Sequence, residues 1–311
     1  MKWKKLGLIF ELSKHDIPWL QSHAMMPLAL ELNDKIRVYF TGRHIDGKSR
    51  ISFFDLNKYN IEEVIYIHDK PLLEVGPIGT FDDCGTVGTF VLKHDEKVYL
   101  YYNGYNVRNT VPWSNSIGLA ISNDGGMTFQ KAYDGPILDR FKLDPYFCIS
   151  PSIIKYDNFW HMWYTSGTGW INIEGRKEPV YDIKYASSKN GIDWQREGEV
   201  CIAQENIEEC VARASVLKQE DNLKMWFIYR GSRDFRDGSD SYKIGYAESS
   251  IHNPTKWLRD DEKSGISLGP EHFDDKMQAY PCVLAVGQKK YFFYNGNGFG
   301  KDGVCIAQSI K

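Results

Sequence analysis

A short apolar pattern, followed by a polar turn and an aromatic strand, recurs five times along this chain. The apolar segments occupy residues 27–30, 89–92, 151–154, 214–217 and 281–284, at intervals of 62 to 67 residues. The aromatic strands after them include YLYYNG, MWYTSG, MWFIYRG and YFFYNG. A period of this kind predicts a repeat architecture in which each unit packs against its neighbours.

Each repeat contains two further strand patterns. The third strand covers residues 117–122, 183–188 or 244–249, and the fourth is expected to carry Phe129, Trp194 or Trp257. Asn-Gly and Asp-Gly lie between strand patterns in two of the repeats. They predict tight hairpins there, because glycine accepts the positive φ that such turns need. Four short antiparallel strands per repeat predict an all-β fold, a five-bladed β-propeller that forms one domain over residues 1–311.

The last repeat leaves no room for a fourth strand. Its third strand pattern covers residues 306–309, and only two residues follow it. The N-terminal segment Leu6–Leu12 has the composition of a strand. We therefore expect this segment to complete the last blade and close the ring by pairing with its third strand.

Composition argues against several classes of partner and cofactor. The formal net charge is −3 and no basic stripe is visible, so nucleic acid is not an expected partner. The six cysteines show no Cys-x-x-Cys spacing, which favours buried free thiols over a disulfide framework or a zinc site. Histidines are dispersed, and no glycine-rich loop precedes a helix. We predict neither a catalytic metal nor a cofactor.

The N-terminal segment also bears on location. Lysines at positions 2, 4 and 5 precede the apolar run Leu6–Phe10, which Glu11 interrupts. This run is shorter than the apolar core of about 7 to 15 residues in a signal peptide. No window approaches the roughly 20 apolar residues of a membrane helix. The sequence therefore predicts a cytoplasmic protein without a membrane span.

The strand order of a propeller brings particular loops to one face of the ring. The segment before each inner strand and the loop between the second and third strands open on the same face, which we call the mouth. Long loops on one face of a rigid scaffold commonly bind ligands. Aromatic rings suit the apolar faces of sugars, while Asn and Arg suit hydroxyl or anionic groups. The predicted substrate-binding residues are His23, Arg43, Arg50, Asn103, Asn115, Tyr146, Trp170, Lys184, Arg213, Arg230, Tyr280, Asn295 and Asn297.

Several mouth segments carry a resemblance to known proteins. The five-fold repeat resembles the five-bladed propeller glycosidases, which include glycoside hydrolase families 32, 43 and 130. More closely, the chain is similar to glycosidase-like proteins of bacterial surface-polysaccharide gene clusters. The segments that carry this similarity are 22–24, 81–85, 115–118, 135–139, 145–147, 166–170 and 294–298. The resemblance implies a carbohydrate ligand and glycoside chemistry.

Glycoside hydrolysis requires two carboxyl groups that flank the scissile bond. At the places where the family 43 pattern has its acids, this chain has Met26, Ser150 and the pair Ala212–Arg213. The predicted catalytic pair is therefore Asp83 with Glu208, which enter non-adjacent blades. Asp82 and Glu209 are the substitutes for this pair.

Three functions remain open at this point. The leading one is a glycoside hydrolase or phosphorylase that acts on a bacterial surface-polysaccharide sugar or its precursor by general acid and base catalysis. The convergent cations suit phosphate or a sugar carboxylate as the anionic group. The alternative is a noncatalytic carbohydrate-binding propeller that has lost the family carboxylates. A sialidase-like enzyme with Tyr280 as nucleophile is a weaker reading, prompted by the Asp-box-like segment 122–129.

Overall fold

Five antiparallel sheets of four strands each form a ring in the computed structural model, which describes residues 1–236 and 238–310. The predicted five-bladed β-propeller is therefore confirmed. In blades one to four the chain runs from the innermost strand outwards, in the order in which the strands occur in the sequence. No helix within the described residues is long and apolar enough to cross a membrane.

The strands are numbered in chain order. Blade one contains β2 (Leu20–Glu31), β3 (Lys35–His44), β4 (Ser49–Asn57) and β5 (Val64–Ile67). Blade two contains β6 (Thr86–His94), β7 (Lys97–Val107), β8 (Trp113–Ser122) and β9 (Gln130–Lys131). Blade three contains β10 (Cys148–Tyr156), β11 (Phe159–Ile173), β12 (Arg176–Ser188) and β13 (Val200–Ile202).

Blade four contains β14 (Cys210–Gln219), β15 (Asn222–Arg230), β16 (Lys243–Ser250) and β17 (Leu258–Arg259). Blade five contains β18 (Ala279–Val286), β19 (Lys289–Asn295), β20 (Gly303–Ile310) and β1 (Lys2–Glu11). Helical structure within residues 1–236 and 238–310 is limited to two 3-10 turns, Leu12–Lys14 and Asp261–Ser264, and one short turn at Asn297–Gly300. All six cysteines are free thiols, as predicted.

The N-terminal strand closes the ring, as the sequence predicts. Strand β1 pairs antiparallel with β20, from Lys2 opposite Ile310 to Glu11 opposite Gly303. Trp3 anchors this strand, because its ring packs edge-on against Trp226 and Phe292 at centroid distances of 5.6 and 5.0 Å. Its indole nitrogen donates a hydrogen bond to the Ser264 carbonyl. The first and last segments of the chain are thus held in one blade.

Every inner strand has a register shift at the mouth. The shifts lie between residues 25 and 28, 88 and 90, 149 and 152, 212 and 215, and 279 and 282. At four of them a non-glycine residue takes a left-handed φ between 51° and 58°: Met26, Ser150, Arg213 and Tyr280. A bulge redirects the side chain that it carries. All four of these residues line the mouth cavity described below.

Side chains of the preceding blade hold these bulges. The backbone N–H of Met26 donates to Asn295, that of Gly88 to Thr41, that of Ser150 to Asn103 and that of Arg213 to Thr165, over 2.7 to 3.1 Å. A second set, further from the mouth, links Ala29 to Cys282, Val216 to Ser152 and Val283 to Ser215. These bonds satisfy backbone groups that face the axis and fix adjacent blades to each other.

The Asp-box-like segment serves the same purpose at the outer turns. Asp124 accepts hydrogen bonds from Ser122 and Thr128 inside its own turn. From blade one, the Tyr39 hydroxyl donates to the Gly126 carbonyl at 3.1 Å. The equivalent contact one blade further runs from Tyr101 to Gly191 at 2.8 Å. This segment is therefore a junction between blades in the structure.

We expect Trp3→Ala to destabilise the protein strongly. Removal of a buried tryptophan side chain commonly costs about 3 to 5 kcal/mol, and this one also holds the closing strand. The melting temperature of Trp3→Ala should fall by several degrees. Deletion of residues 1–12 should cause aggregation through the exposed edge of β20. The exposed Lys4→Ala variant on the same strand is the control. An unchanged melting temperature for Trp3→Ala would rule out this closing role.

Candidate functional site

A cavity of about 320 Å³ opens at the mouth of the propeller, where loops and bulges of all five blades meet. Four of its residues are the left-handed bulge residues Met26, Ser150, Arg213 and Tyr280. The other lining residues are Met25, Ser49, Val87, Asn103, Tyr105, Trp113, Asn115, Ile149, Glu178, Pro179, Tyr181, Ala212, Ile228, Arg230, Phe235, Arg236 and Tyr242.

Polar and aromatic groups both line the cavity. Blades one to three contribute the hydroxyl and amide groups of Ser49, Asn103, Asn115 and Ser150, and blade two adds the rings of Tyr105 and Trp113. Blades three to five contribute arginines and an aromatic group that comprises Tyr181, Phe235, Tyr242 and Tyr280. Aromatic side chains with a few convergent polar groups are typical of a small-molecule site.

Arg213 is a buried residue of the cavity lining and has no acidic partner in the described part of the chain. Its residue is 2% exposed, and its NH1 atom has no hydrogen-bond partner among the described residues. Burial lowers the pKa of this guanidinium to about 10. Desolvation of an uncompensated charge is costly, so the group favours an anion beside it.

Only one other lining residue has a buried polar side-chain atom without a partner in the described part of the chain, and that atom is Asn115 Oδ1. The amide lies on β8, at the opposite side of the cavity from blade four. An acceptor at Asn115 and a donor at Arg213 together define two contacts that a ligand can complete. A buried group left unsatisfied costs about 1 to 3 kcal/mol, which favours occupation of both.

A second buried arginine, Arg230, has only neutral partners among the described residues. Its Nε lies 3.1 Å from Tyr181 Oη and 3.0 Å from Tyr242 Oη, and its terminal nitrogens donate to the Gly231 and Pro179 carbonyls. The guanidinium lies over the Phe235 ring at 3.7 Å. Two positive charges therefore lie in the walls of this cavity, and no carboxylate of the described residues contacts either of them.

Among the residues that the structure describes, Glu178 is the one carboxylate in the cavity lining. It is 3% exposed and lies on β12, in the long hairpin that β11 and β12 form above the mouth. Both of its oxygens accept hydrogen bonds from Arg236, at 2.8 and 3.2 Å. The Arg236 side chain itself is half-exposed. This ion pair thus joins a buried acid to a long arginine side chain that extends inwards from the surface.

Asp82 and Glu209, the substitute catalytic residues, lie in buried ion pairs outside the cavity lining. Asp82 contacts Lys131 Nζ at 2.6 Å and the Tyr102 hydroxyl at 3.1 Å. Glu209 accepts two hydrogen bonds from Arg259. The same arrangement recurs where Arg196 contacts Asp144 and where Lys5 contacts Asp274. In each case a cation near or on the outer strand holds the acid that precedes the inner strand.

Asp83 and Glu208, the predicted pair, also lie outside the cavity lining. The Asp83 carboxylate accepts the Gly79 N–H at 2.9 Å and the Asn106 side-chain amide at 2.7 Å, and these bonds lower its pKa. Glu208 lies at the rim, where Arg233 binds both of its oxygens at 2.6 and 2.9 Å. The four predicted catalytic carboxylates therefore all have protein partners.

Of the predicted substrate-binding residues, five meet in the cavity: Asn103, Asn115, Arg213, Arg230 and Tyr280. The other eight lie around it. Arg50 pairs with Asp46 and Glu74, and Lys184 pairs with Asp144. Trp170 packs on Trp113 and Phe147, while Tyr146 is exposed on the loop before β10.

The amides Asn295 and Asn297 bond to backbone. Asn295 binds the Ala24 and Gly303 carbonyls, and Asn297 caps the N–H groups of Lys276 and Met277. His23 is buried next to Arg43, and burial lowers its pKa to about 4. The Arg43 side chain is exposed and has no hydrogen bond or ion pair within the described residues. These residues shape the surroundings of the cavity without lining it.

The sequence pattern does not identify several of the residues that line the cavity. Glu178 and Tyr181 come from the β11–β12 hairpin, and Phe235, Arg236 and Tyr242 come from the loop between β15 and β16. The available signal is length: these connections extend further past the sheet than the corresponding ones of blade one. Length identifies a loop of interest, but it does not say which side chain turns inwards.

The fold is shared with solved structures. The chain has the fold of five-bladed propeller glycoside hydrolases: one such structure covers 99% of this chain and 91% of its own, with a TM-score of 0.73 and 16% identity. Another comes from the family 130 of mannoside phosphorylases, which contains glycoside hydrolases that target β-1,2 mannosidic linkages in Candida mannan. It covers 97% of this chain and 88% of its own, with a TM-score of 0.68 and 15% identity.

The particular family follows from sequence. Uncharacterized protein Rv1502 of Mycobacterium tuberculosis (strain ATCC 25618 / H37Rv) is 33% identical over 310 residues, which is 99% of both chains. The chain belongs to the same family as Rv1502. A 1,2-beta-oligomannan phosphorylase from Thermoanaerobacter sp. (strain X514) is 26% identical over 209 residues, 66% of each chain. No protein-family model matches the sequence.

Asp182, next to the Lys184–Asp144 pair, should make stability depend on pH. Burial raises its pKa from the ordinary 3.8 to about 6. Between these values the folded state binds a proton that the unfolded state has lost, so stability falls as pH rises from about 4 to 6 and stays lower above that range. This pKa shift corresponds to a loss of about 3 kcal/mol in the free energy of unfolding above pH 6.

The variant Asp182→Asn carries no charge at any pH. We expect it to be more stable than the wild type at pH 7 and equally stable near pH 4, measured by chemical denaturation at both values. Asp193→Asn, at an exposed turn, is the control. Equal pH profiles for wild type and Asp182→Asn would refute the assignment.

Proposed function

We propose that the mouth cavity binds a glycoside beside an anion and cleaves it, with a bacterial surface-polysaccharide sugar or its precursor as substrate. The observation that carries this proposal is the pair of unsatisfied atoms, Asn115 Oδ1 and Arg213 NH1, in one cavity. A sugar hydroxyl can donate to the former, and an anionic oxygen can accept from the latter. The aromatic side chains of the cavity suit the apolar face of a sugar ring.

Phosphorolysis is the reaction that this lining supports best. Hydrolysis by the common mechanisms uses two carboxyl groups, and the cavity lining contains one, Glu178, among the described residues. In phosphorolysis a phosphate oxygen forms the bond to the anomeric carbon as the glycosidic bond breaks. Protonated Glu178 would then give its proton to the departing sugar oxygen. The similarity to a 1,2-beta-oligomannan phosphorylase supports the same class of reaction.

A noncatalytic carbohydrate-binding propeller is the second candidate. It is favoured by the pairing of Glu178 with Arg236 and of Glu208 with Arg233, because a carboxylate held by two charge-assisted hydrogen bonds is a poor proton donor. The sialidase-like reading has less support. Burial raises the pKa of Tyr280, and no carboxylate among the described residues bonds to its hydroxyl.

Catalysis is tested by incubating the protein with inorganic phosphate and a panel of oligosaccharides that begins with β-1,2-linked oligomannans. We expect release of a sugar 1-phosphate. Glu178→Gln should lower turnover by about 10²-fold or more, as loss of a general acid does, with little change in sugar binding. The matched controls are Asp83→Asn and Glu208→Gln.

The pattern across these variants separates the mechanisms. Loss of turnover in Asp83→Asn and Glu208→Gln, with Glu178→Gln active, would restore the two-carboxylate pair predicted from sequence and exclude Glu178. Sugar binding by the wild type without any product would favour the noncatalytic candidate.

Arg213→Met tests the anion site separately. The guanidinium has an uncompensated buried charge, so its removal should leave the melting temperature unchanged or raise it in phosphate-free buffer. Inorganic phosphate should stabilise the wild type and not the variant, because only a state that binds the anion gains from it. Arg43→Met, at the exposed rim, is the control. Equal stabilisation of wild type and Arg213→Met by phosphate would disprove this site.

A further inference from the structure

Two tyrosines of the cavity form a hydrogen-bonded triangle with Arg230. Tyr181 Oη and Tyr242 Oη lie 2.8 Å apart, and Arg230 Nε lies 3.1 and 3.0 Å from them. All three residues are buried, and all three line the cavity. Tyr181 is on β12 of blade three, whereas Arg230 and Tyr242 belong to blade four. The triangle therefore spans the junction between these blades.

One hydroxyl proton of this triangle has no acceptor within the triangle. Arg230 Nε has a single N–H and cannot accept a hydrogen bond, while each tyrosine hydroxyl has one proton to donate. The bond between the hydroxyls uses one of their two protons. The tyrosine that accepts this bond must direct its own proton out of the triangle. Neither hydroxyl has another hydrogen-bond partner among the described residues.

Arg230 cannot turn to relieve this arrangement. Its other nitrogens are fixed by the Gly231 carbonyl at 2.7 Å and the Pro179 carbonyl at 3.1 Å. Its positive charge polarises the two phenols, which makes the remaining O–H a stronger donor. A buried donor without an acceptor is unfavourable, so this site calls for an acceptor inside the cavity.

We propose that the Tyr181–Tyr242 pair, held by Arg230, donates a hydrogen bond to an oxygen of a bound oxyanion and so determines specificity for it. This inference rests on the part of the proposed function that places the ligand in the mouth cavity. It does not depend on whether the ligand is cleaved. Among the fully buried polar atoms of the described lining, Arg213 NH1 is a donor without a partner and Asn115 Oδ1 is an acceptor without one. The remaining phenol proton adds a second buried donor. A sugar hydroxyl brings a donor with every acceptor, whereas an oxyanion brings acceptors only.

Inorganic phosphate is the probe, titrated by calorimetry into the wild type, Tyr181→Phe, Tyr242→Phe and the double variant. If one tyrosine donates to the other and the second donates to phosphate, only one of the single variants removes the terminal donor. We expect that variant to bind phosphate about tenfold or more weakly, the effect of one hydrogen bond to a charged group. The other single variant should bind nearly as the wild type does, and the double variant should match the weaker single one.

Tyr39→Phe is the matched control, because it also loses a buried phenol hydrogen bond but lies away from the cavity. It should melt lower and bind phosphate normally. Equal losses in both single variants, additive losses in the double variant, or no loss in any of them would overturn the inference, as would a wild type that binds no phosphate. If Arg213→Met loses phosphate while both tyrosine variants keep it, the anion site stands and the tyrosine donor does not. If the tyrosine pattern appears without sugar 1-phosphate formation, the donor stands and the proposed catalysis does not.

Discussion

The hydrogen bonds between neighbouring blades are the constraint on which the rest of this structure depends. An inner strand has no partner strand on its axial side, so its backbone groups need acceptors from the adjacent blade. Thr41, Asn103, Thr165 and Asn295 provide them at the mouth. The residue held in this way is left-handed in three of these four cases, and its side chain is directed to the cavity. The same bonds that join the blades therefore also set the geometry of the candidate site.

Electrostatics divides the acids of the mouth into two groups. Asp82, Asp144, Glu209 and Asp274 are buried with a cation at each, which fixes the entry to the inner strand of four blades. The cavity itself has the opposite balance. Arg213 and Arg230 are buried there without a carboxylate contact within the described chain, while Glu178 is shared with Arg236. Cation excess inside and paired acids outside are consistent with a site for an anionic ligand.

The sequence predicts the architecture well because a repeat restates the same hydrophobic pattern five times, and the shortage of a strand in the last repeat predicts closure by β1. The predicted positions of the fourth strands were less accurate. Strands β9 and β17 begin directly after Phe129 and Trp257, and β13 begins six residues after Trp194, so these aromatics precede the fourth strands. The bulge residues Arg213 and Tyr280 were predictable as residues of the mouth from their position in the repeat. Tyr181 and Glu178 were not, since the orientation of a hairpin above the ring depends on tertiary packing.

One position breaks the five-fold rule. Where Thr41, Asn103, Thr165 and Asn295 provide an acceptor, blade four has Ile228, whose side chain cannot accept a hydrogen bond. The bulge at Tyr280 thus lacks the side-chain clasp of the other four, which is a difference of about 1 kcal/mol. Ser215 still joins the two blades deeper in the axis. At the mouth these two blades are joined instead by a backbone hydrogen bond from the Gln278 N–H to the Tyr242 carbonyl at 2.9 Å. The position of the last blade at the opening therefore depends on the same β15–β16 loop that brings Phe235 and Arg236 to the cavity.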